Sequence, residues 1–162
     1  MRGVLERVVL RIDRARLDGL LQNLHEAYGA LADTKGLTMR LQRDTAVPDI
    51  VVGDPVRVRQ ILSNYLNNAL KYTPTGGRVS IAVRAAPDAA VISIADNGPG
   101  IPPGEREAIF RRLYRVDSSR SQRGLGLGLS LVKAIVEAHG GKVLVAEAAG
   151  GGAQFDVRVP RV

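Results

Sequence analysis

Apolar residues change their spacing several times along the chain, and each spacing predicts an element. After Asp13, a capping residue, helical spacing predicts a long first helix through Leu17, Leu20, Leu21, Leu24, Tyr28 and Leu31. A second helix starts at Asp54-Pro55, where a capping carboxylate precedes proline at the first helical position, and runs to about Tyr72. A third is predicted over residues 128–139, and strands over residues 8–12, 37–41, 79–84, 91–95, 142–147 and 153–159.

The order of these elements predicts the fold class. It gives an α/β two-layer sandwich, with a mixed sheet and helices packed on one face. No repeat or linker interrupts the pattern, so residues 1–162 are expected to form a single domain. Residues 97–125 lack regular apolar periodicity and are rich in Gly, Pro, Ser and Arg, which is typical of a functional lid or of disorder.

Composition narrows the class of protein. The chain has no Cys, which excludes disulfides and thiolate metal sites, and no apolar run long enough to span a bilayer. We therefore expect a soluble, cytoplasmic chain without membrane contact. The net charge of +7 would admit nucleic acid, but the arginines are scattered and aromatic residues make up only 4%, which disfavours that partner.

The second helix carries a polar stripe opposite its apolar face. Gln60, Asn64, Asn68 and Lys71 lie one turn apart along it. The stripe could simply be solvated, yet asparagine is a mediocre helix former, so the pair favours a function. A carboxamide offers a hard cation an oxygen ligand without adding negative charge beside a triphosphate, which suits magnesium.

Two glycine clusters follow the helix. Asp96 ends a strand of buried type, and its carboxylate could accept a hydrogen bond from the exocyclic amine of adenine, which guanine lacks at that position. The turn of residues 97–100 lets backbone approach the base closely. Gly124, Gly126 and Gly128 precede a predicted helix whose N-terminal amides favour anions, although their spacing fits neither a dinucleotide fingerprint nor a P-loop.

This ordered set resembles the ATP-binding catalytic domain of bacterial sensor histidine kinases, within the superfamily that includes gyrase-type ATPases and heat-shock chaperones. The resemblance covers nearly all of the chain. Residues 64–73 are similar to the family's asparagine box, 96–101 to its first glycine box, 109–115 to the phenylalanine box of its lid, and 124–129 to its second glycine box. The fold that it implies is of the Bergerat type, with a mostly antiparallel sheet and an ATP lid over about residues 97–125.

The resemblance also implies the site. It makes Asn68 and Lys71 the catalytic residues and Asn68 the ligand of Mg²⁺. It places Tyr72 beside the ribose or base and Asp96 on the adenine amine. The implied ATP-binding residues are Asn64, Asn68, Lys71, Tyr72, Asp96, Gly98, Gly100, Ile101, Arg115, Gly124, Leu125, Gly126, Leu127 and Gly128.

Two positions depart from the family pattern. Leu125 stands where Thr or Ser is common, which removes a hydroxyl contact to phosphate, and Arg123 replaces a frequent glycine. Both changes bear on lid closure and affinity.

The phosphoaccepting histidine of a histidine kinase is not found in this sequence. His25 lacks the expected basic residue and proline after it, and His139 is interpreted as a helix C-terminal residue. The dimerisation and phosphoacceptor domain is thus expected to be absent from this chain. That domain, and through it a response regulator, are the implied partners of a monomeric chain.

Three other classes of protein share such a pocket. ATP-hydrolysing clamps usually have a glutamate one turn before the metal asparagine, and Asn64 occupies that position, so hydrolysis is disfavoured. A serine kinase of the anti-sigma-factor type fits less well at residues 71–73 and around Phe110. A non-catalytic ATP-binding regulatory module remains the main alternative to a kinase.

Overall fold

The structure, a computed structural model, describes residues 10–106, 142–149 and 151–162. The elements in this part of the chain are β1 (Arg11–Asp13), α1 (Arg14–Thr34), β2 (Thr38–Arg43), β3 (Ile50–Val52), α2 (Pro55–Tyr72), β4 (Arg78–Ala86), β5 (Ala89–Asp96), a short 3₁₀ turn (Pro103–Glu105), β6 (Lys142–Glu147) and β7 (Ala153–Pro160). The predicted α/β class is confirmed.

The strands form one main sheet and one small ribbon. The main sheet has five strands in the order β2-β4-β5-β7-β6, and β1 pairs with β3 in a two-stranded ribbon. β2 runs parallel to β4, because α2 lies on the crossover between them, and every other pair in the main sheet is antiparallel. A mixed, mostly antiparallel sheet is therefore what the structure contains.

The two faces of the sheet differ in chemistry. One face is apolar and packs against both helices through residues such as Ile81, Ile92 and Phe155. On the opposite face, the Ser93 hydroxyl donates to Asp156 at 2.6 Å and accepts from Arg84 at 3.0 Å. Because a polar network covers that face, both helices lie on the apolar one.

Both helices begin where the sequence predicted. Asp13 caps α1 by accepting the amide of Arg16 at 2.8 Å, and Asp54 caps α2 by accepting the amide of Val56 at 2.9 Å. Tyr65 of α2 stacks on Phe155 of β7 with ring centroids 4.5 Å apart. The predicted apolar face of α2 is buried at every position, namely Ile61, Leu62, Tyr65, Leu66, Ala69 and Leu70. That face anchors α2 to the middle of the sheet.

The structure adds details that the sequence pattern did not give. Leu31, which the helical spacing included, lies in α1 but is 51% exposed, and Ala32 is buried there instead. Of the first predicted strand, the structure describes β1 at Arg11–Asp13, while residues 8 and 9 lie outside the described part, and β3 was missed. β3 is three residues long and is held by β1 and by one bridge from Val51 to Arg161. The helix predicted over residues 128–139 lies outside the described part.

The difference in burial predicts that replacing two helical leucines by alanine will reduce stability by different amounts. Leu62 on α2 is fully buried, so Leu62→Ala should lower the free energy of unfolding by about 2–5 kcal/mol. Leu31→Ala on α1 is the matched control and should change it by no more than about 0.5 kcal/mol. Urea denaturation followed by circular dichroism measures both, and similar losses in the two variants would contradict the assigned core.

Candidate functional site

The carboxylate of Asp96 lies at the end of β5, and only one of its two oxygens accepts hydrogen bonds from the described residues. It follows Ile92 and Ile94 on the face of the sheet that carries the helices, since alternate residues of a strand share a face. Its Oδ1 accepts the amide of Gly98 at 2.9 Å and the amide of Ala153 at 3.3 Å. Its Oδ2 accepts no hydrogen bond from any residue in the described ranges, so one oxygen is oriented and available to a ligand.

Burial raises the pKa of Asp96 above its ordinary value of 3.8. The two backbone amides on Oδ1 act in the opposite direction, because they stabilise the ionised form, but desolvation is the larger effect. Asp96 is therefore a partly buried acid whose charge is costly to the fold, which is typical of functional sites.

The C-terminal end of α2 touches the turn that follows Asp96. A Cβ placed on Gly98 would lie 3.2 Å from the carbonyl oxygen of Tyr72 and 3.4 Å from the Cα of Thr73. Such distances are tighter than most side chains tolerate, so glycine allows the helix end and the strand end to meet. This contact brings the last turns of α2 beside Asp96.

The asparagines of α2 have different environments. Asn68 is only 8% exposed, Asn64 is half-buried and Asn67 is exposed. Within the described part of the chain, neither Asn64 nor Asn68 makes a hydrogen bond through its side chain. Asn68 is one of the few buried polar residues in the described part, and its carboxamide is a candidate to receive a ligand.

The polar side chains at this end of α2 could provide a hard cation with only one or two ligands, so such a cation would have to keep water molecules as its remaining ligands. The described residues contain no group of three His, Cys, Asp or Glu side chains that could hold a metal. A divalent cation here would depend on the amide oxygen of Asn68 together with oxygens from water and from a bound ligand. Magnesium is the common protein-bound cation with that preference.

Two neighbouring loops fix the position of the helix end. The amide of Gly76, after α2, donates to the carbonyl of Gly36, after α1, at 2.9 Å. The Asn97 side chain accepts the amide of Arg78 at 2.6 Å, which ties the turn after β5 to the start of β4. Asn97 therefore has a structural role that the sequence analysis did not assign.

The structure locates eight of the predicted site residues. Asn64, Asn68, Lys71 and Tyr72 lie on the last turns of α2, with Lys71 and Tyr72 half-buried. Asp96, Gly98, Gly100 and Ile101 form the strand end and its turn, and Ile101 packs against the core. The predictions for Arg115, Gly124, Leu125, Gly126, Leu127 and Gly128 lie outside the described residues, as do those for Phe110, Arg123 and His139.

Sequence reasoning missed two residues close to Asp96. Thr73 is buried, and its hydroxyl has no hydrogen-bond partner among the described residues. Gly152 packs on the backbone at the end of β5. In the sequence, Gly152 belongs to a glycine run before β7 that has the signature of an ordinary hairpin turn, so only the fold reveals its contact.

The match to a family agrees with this geometry. Residues 53–162 match the model of the histidine kinase-, DNA gyrase B-, and HSP90-like ATPases. The chain belongs to this family. The matched residues include α2, the Asp96 turn and β7, which are the elements that surround the candidate site.

Relatives place the chain among the sensor histidine kinases within these ATPases. It is 41% identical over 140 residues to the adaptive-response sensory kinase SasA of Trichormus variabilis, which covers 83% of this chain and 34% of SasA. The mycobacterial sensor histidine kinase MprB superposes with a TM-score of 0.76 and 30% identity over 94% of this chain and 97% of that one. ShkA, solved at full length with AMPPNP, gives a TM-score of 0.79 and 31% identity over 98% of this chain and 32% of its own.

These similarities identify the chain as an ATP-binding catalytic domain of the sensor histidine kinase type. The chain spans about a third of the length of the curated SasA relatives. Among the described helices of this ATPase-family domain, none has the length and hydropathy needed to cross a membrane.

The raised pKa of Asp96 predicts a pH-dependent stability difference. The folded state takes up this proton first as pH falls, because the folded pKa lies above 3.8, the value of a free aspartate. The cost of the buried charge is therefore complete at neutral pH and is relieved as pH falls through the raised pKa. As pH falls through the raised pKa, the free energy of unfolding of the parent should therefore increase relative to that of Asp96→Asn. Urea denaturation of both proteins at a series of pH values measures it, and a decrease would contradict the assignment.

Proposed function

We propose that this chain binds Mg²⁺-ATP and donates the γ-phosphoryl group to a histidine on a separate dimerisation helix in two-component signal transduction. The observation that carries the proposal is the meeting of α2 with β5. There Asn68, which is 8% exposed, and the open oxygen of Asp96 belong to adjoining segments. Family membership supports the nucleotide, and the named sensory kinases support the reaction.

Base recognition depends on Asp96. Its Oδ2 can only accept a hydrogen bond when the group is ionised, so it requires a donor on the ligand. Adenine presents an amine at its 6-position, whereas guanine presents a carbonyl oxygen there. The proposed site therefore selects adenine and rejects guanine, because two acceptors would face each other.

The triphosphate end is assigned to the last turns of α2. Asn68 would ligate the metal through its amide oxygen, Asn64 would contact phosphate nearby, and Lys71 would approach the phosphates. The magnesium ion supplies positive charge that neutralises the transferring phosphoryl group. Arg115 and the glycines of residues 124–128 remain predicted phosphate contacts.

In the proposed reaction, a partner imidazole nitrogen attacks the γ-phosphorus. A phosphorus–nitrogen bond forms, the bond to the bridging oxygen breaks, and ADP leaves. This chain contributes position and charge, which carry most of the catalysis in phosphoryl transfer, while the partner helix contributes the nucleophile. His25 is not assigned as the acceptor, since its ring is half-buried beside the carbonyl of Met39 at 3.4 Å.

The arrangement of the protein follows from the same proposal. Residues 1–162 form one ATP-binding domain, and its partner is a phosphoacceptor domain that passes the group to a response regulator. A cytoplasmic site of action fits this reaction, because ATP and response regulators meet there. The AMPPNP in the ShkA structure supports a nucleotide in this fold.

Substitution of Asn68 tests the metal site. Asn68→Ala removes the amide oxygen and should lower magnesium-dependent phosphotransfer by at least about 100-fold, since even outer partners of metal sites cost 10–100-fold. The assay follows γ-labelled ATP to a separately supplied dimerisation hairpin. Asn67→Ala, one residue away and exposed, is the matched control and should retain activity.

Three results of that assay would count against the proposal. Full activity of Asn68→Ala would place the metal elsewhere. Stable acid-labile label on His25 of the chain itself would show that it carries its own acceptor. Tight ATP binding with no transfer to any hairpin would favour the regulatory ATP-binding module instead.

Base selection gives a separate test. The parent should bind ATP more tightly than GTP, and Asp96→Asn should weaken ATP binding by about 1–3 kcal/mol, because the amide can present a donor to the adenine amine. Isothermal titration calorimetry measures the four affinities. Equal affinity of the parent for ATP and GTP would contradict the role assigned to Asp96.

A further inference from the structure

The turn between β6 and β7 packs directly on the end of β5. Gly152 has a φ of 90°, and a Cβ placed on it would overlap the carbonyl oxygen of Asp96 and lie 2.8 Å from the Cα of Asn97. These neighbours are backbone atoms, which cannot rotate away as a side chain could. Gly152 therefore permits a contact that no other residue type would allow.

The same turn is held on its other sides. The amide of Ala148 donates to the carbonyl of Gly152 at 3.0 Å, and the amide of Gly151 donates to the carbonyl of Ala148 at 3.0 Å. A Cβ on Gly100 would lie 3.2 Å from the Gly152 carbonyl oxygen, so the turn after β5 closes over it as well. Gly152 has little room to shift.

The residue after Gly152 contacts the carboxylate that the proposed function assigns to adenine. The amide of Ala153 donates to Oδ1 of Asp96 at 3.3 Å, and the amide of Gly98 donates to the same oxygen at 2.9 Å. One donor comes from the loop after β5 and the other from β7. Two donors on one oxygen fix the plane of the carboxylate and leave Oδ2 as the open acceptor.

We infer that Gly152 and the amide of Ala153 are positioning residues for base selection. The close packing of Gly152 on the end of β5 keeps the Ala153 amide on Oδ1, and so keeps Oδ2 directed at the ligand. This inference rests on the proposed function, because it requires that Asp96 recognises adenine. A side chain at position 152 would separate β7 from the strand end and leave the carboxylate with the Gly98 amide alone.

The test compares ATP with purine riboside 5′-triphosphate, which lacks the 6-amino group. In the parent, the dissociation constant of the purine riboside triphosphate should be about ten times that of ATP, because one hydrogen bond to a charged group contributes about that factor. Gly152→Ala should reduce the ratio of the two dissociation constants, purine riboside triphosphate over ATP, towards one. Gly151→Ala is the matched control: Gly151 has a φ of 93°, but nothing lies within 4 Å of its Cβ position. It carries the same backbone strain without the contact and should keep the parent ratio.

A second variant tests the same role in case Gly152→Ala does not fold. Ala153→Pro removes the donor itself at the first residue of a strand, where proline is tolerated, and should also reduce the ratio. A third measurement needs neither variant: in Asp96→Asn, the NMR amide resonances of Gly98 and Ala153 should both shift, because both amides bond to the altered group.

The outcomes separate the two proposals. If Asp96→Asn leaves the parent ratio unchanged, adenine recognition by Asp96 is wrong and the proposed function loses its base contact. If Asp96→Asn abolishes the ratio while Gly152→Ala and Ala153→Pro retain it, only the positioning role is overturned. An unshifted Ala153 resonance in Asp96→Asn would also overturn it, and equal loss in Gly151→Ala and Gly152→Ala would assign the effect to backbone strain.

Discussion

The close approach of three backbone segments at the end of β5 is the constraint on which the candidate site depends. The end of α2, the turn after Asp96 and the start of β7 meet there at distances that are tight for a Cβ at Gly98 and leave no room for one at Gly152. The hydrogen bonds of the Asp96 carboxylate exist because the amides of two of these segments are brought within reach of Oδ1. Without those glycines, the side chains of the candidate site would be displaced from one another.

The register of the sheet determines which way the site faces. Val79 of β4 pairs with Asp96, and Ala95 pairs with Gln154 of β7, so Asp96 ends β5 between two neighbouring strands. Because side chains alternate along a strand, Asp96 shares the helix-bearing face with Ile92 and Ile94. A slip of one residue would move its carboxylate to the opposite face, away from α2. Packing of the apolar core therefore sets the orientation of a polar group.

Helix α2 has an apolar side that anchors it to the sheet and a second side that carries residues of the candidate site. Its apolar side, including Tyr65 stacked on Phe155, fixes the helix on the sheet with little freedom to rotate. Asn68 lies at the border of that buried side, which explains why it is nearly inaccessible while the adjacent Asn67 is exposed. The partly buried charge of Asp96 is costly to the fold, because desolvation raises the pKa of its carboxyl group, and such local costs concentrate at functional sites.

The sequence by itself determined most of the described elements and singled out the candidate residues that they carry. Caps at Asp13 and Asp54, apolar spacing and alternation are local patterns, so they predicted both helices and the five strands of the main sheet. Asn68 and Asp96 could be singled out because their residue types are unusual at those positions in a helix and a strand. Only the tertiary structure decided the order and register of the strands, the short β3, the exposure of Leu31, and the role of Gly152. Each of these depends on contacts between residues far apart in the chain, and a local pattern carries no information about which distant backbone a glycine will touch.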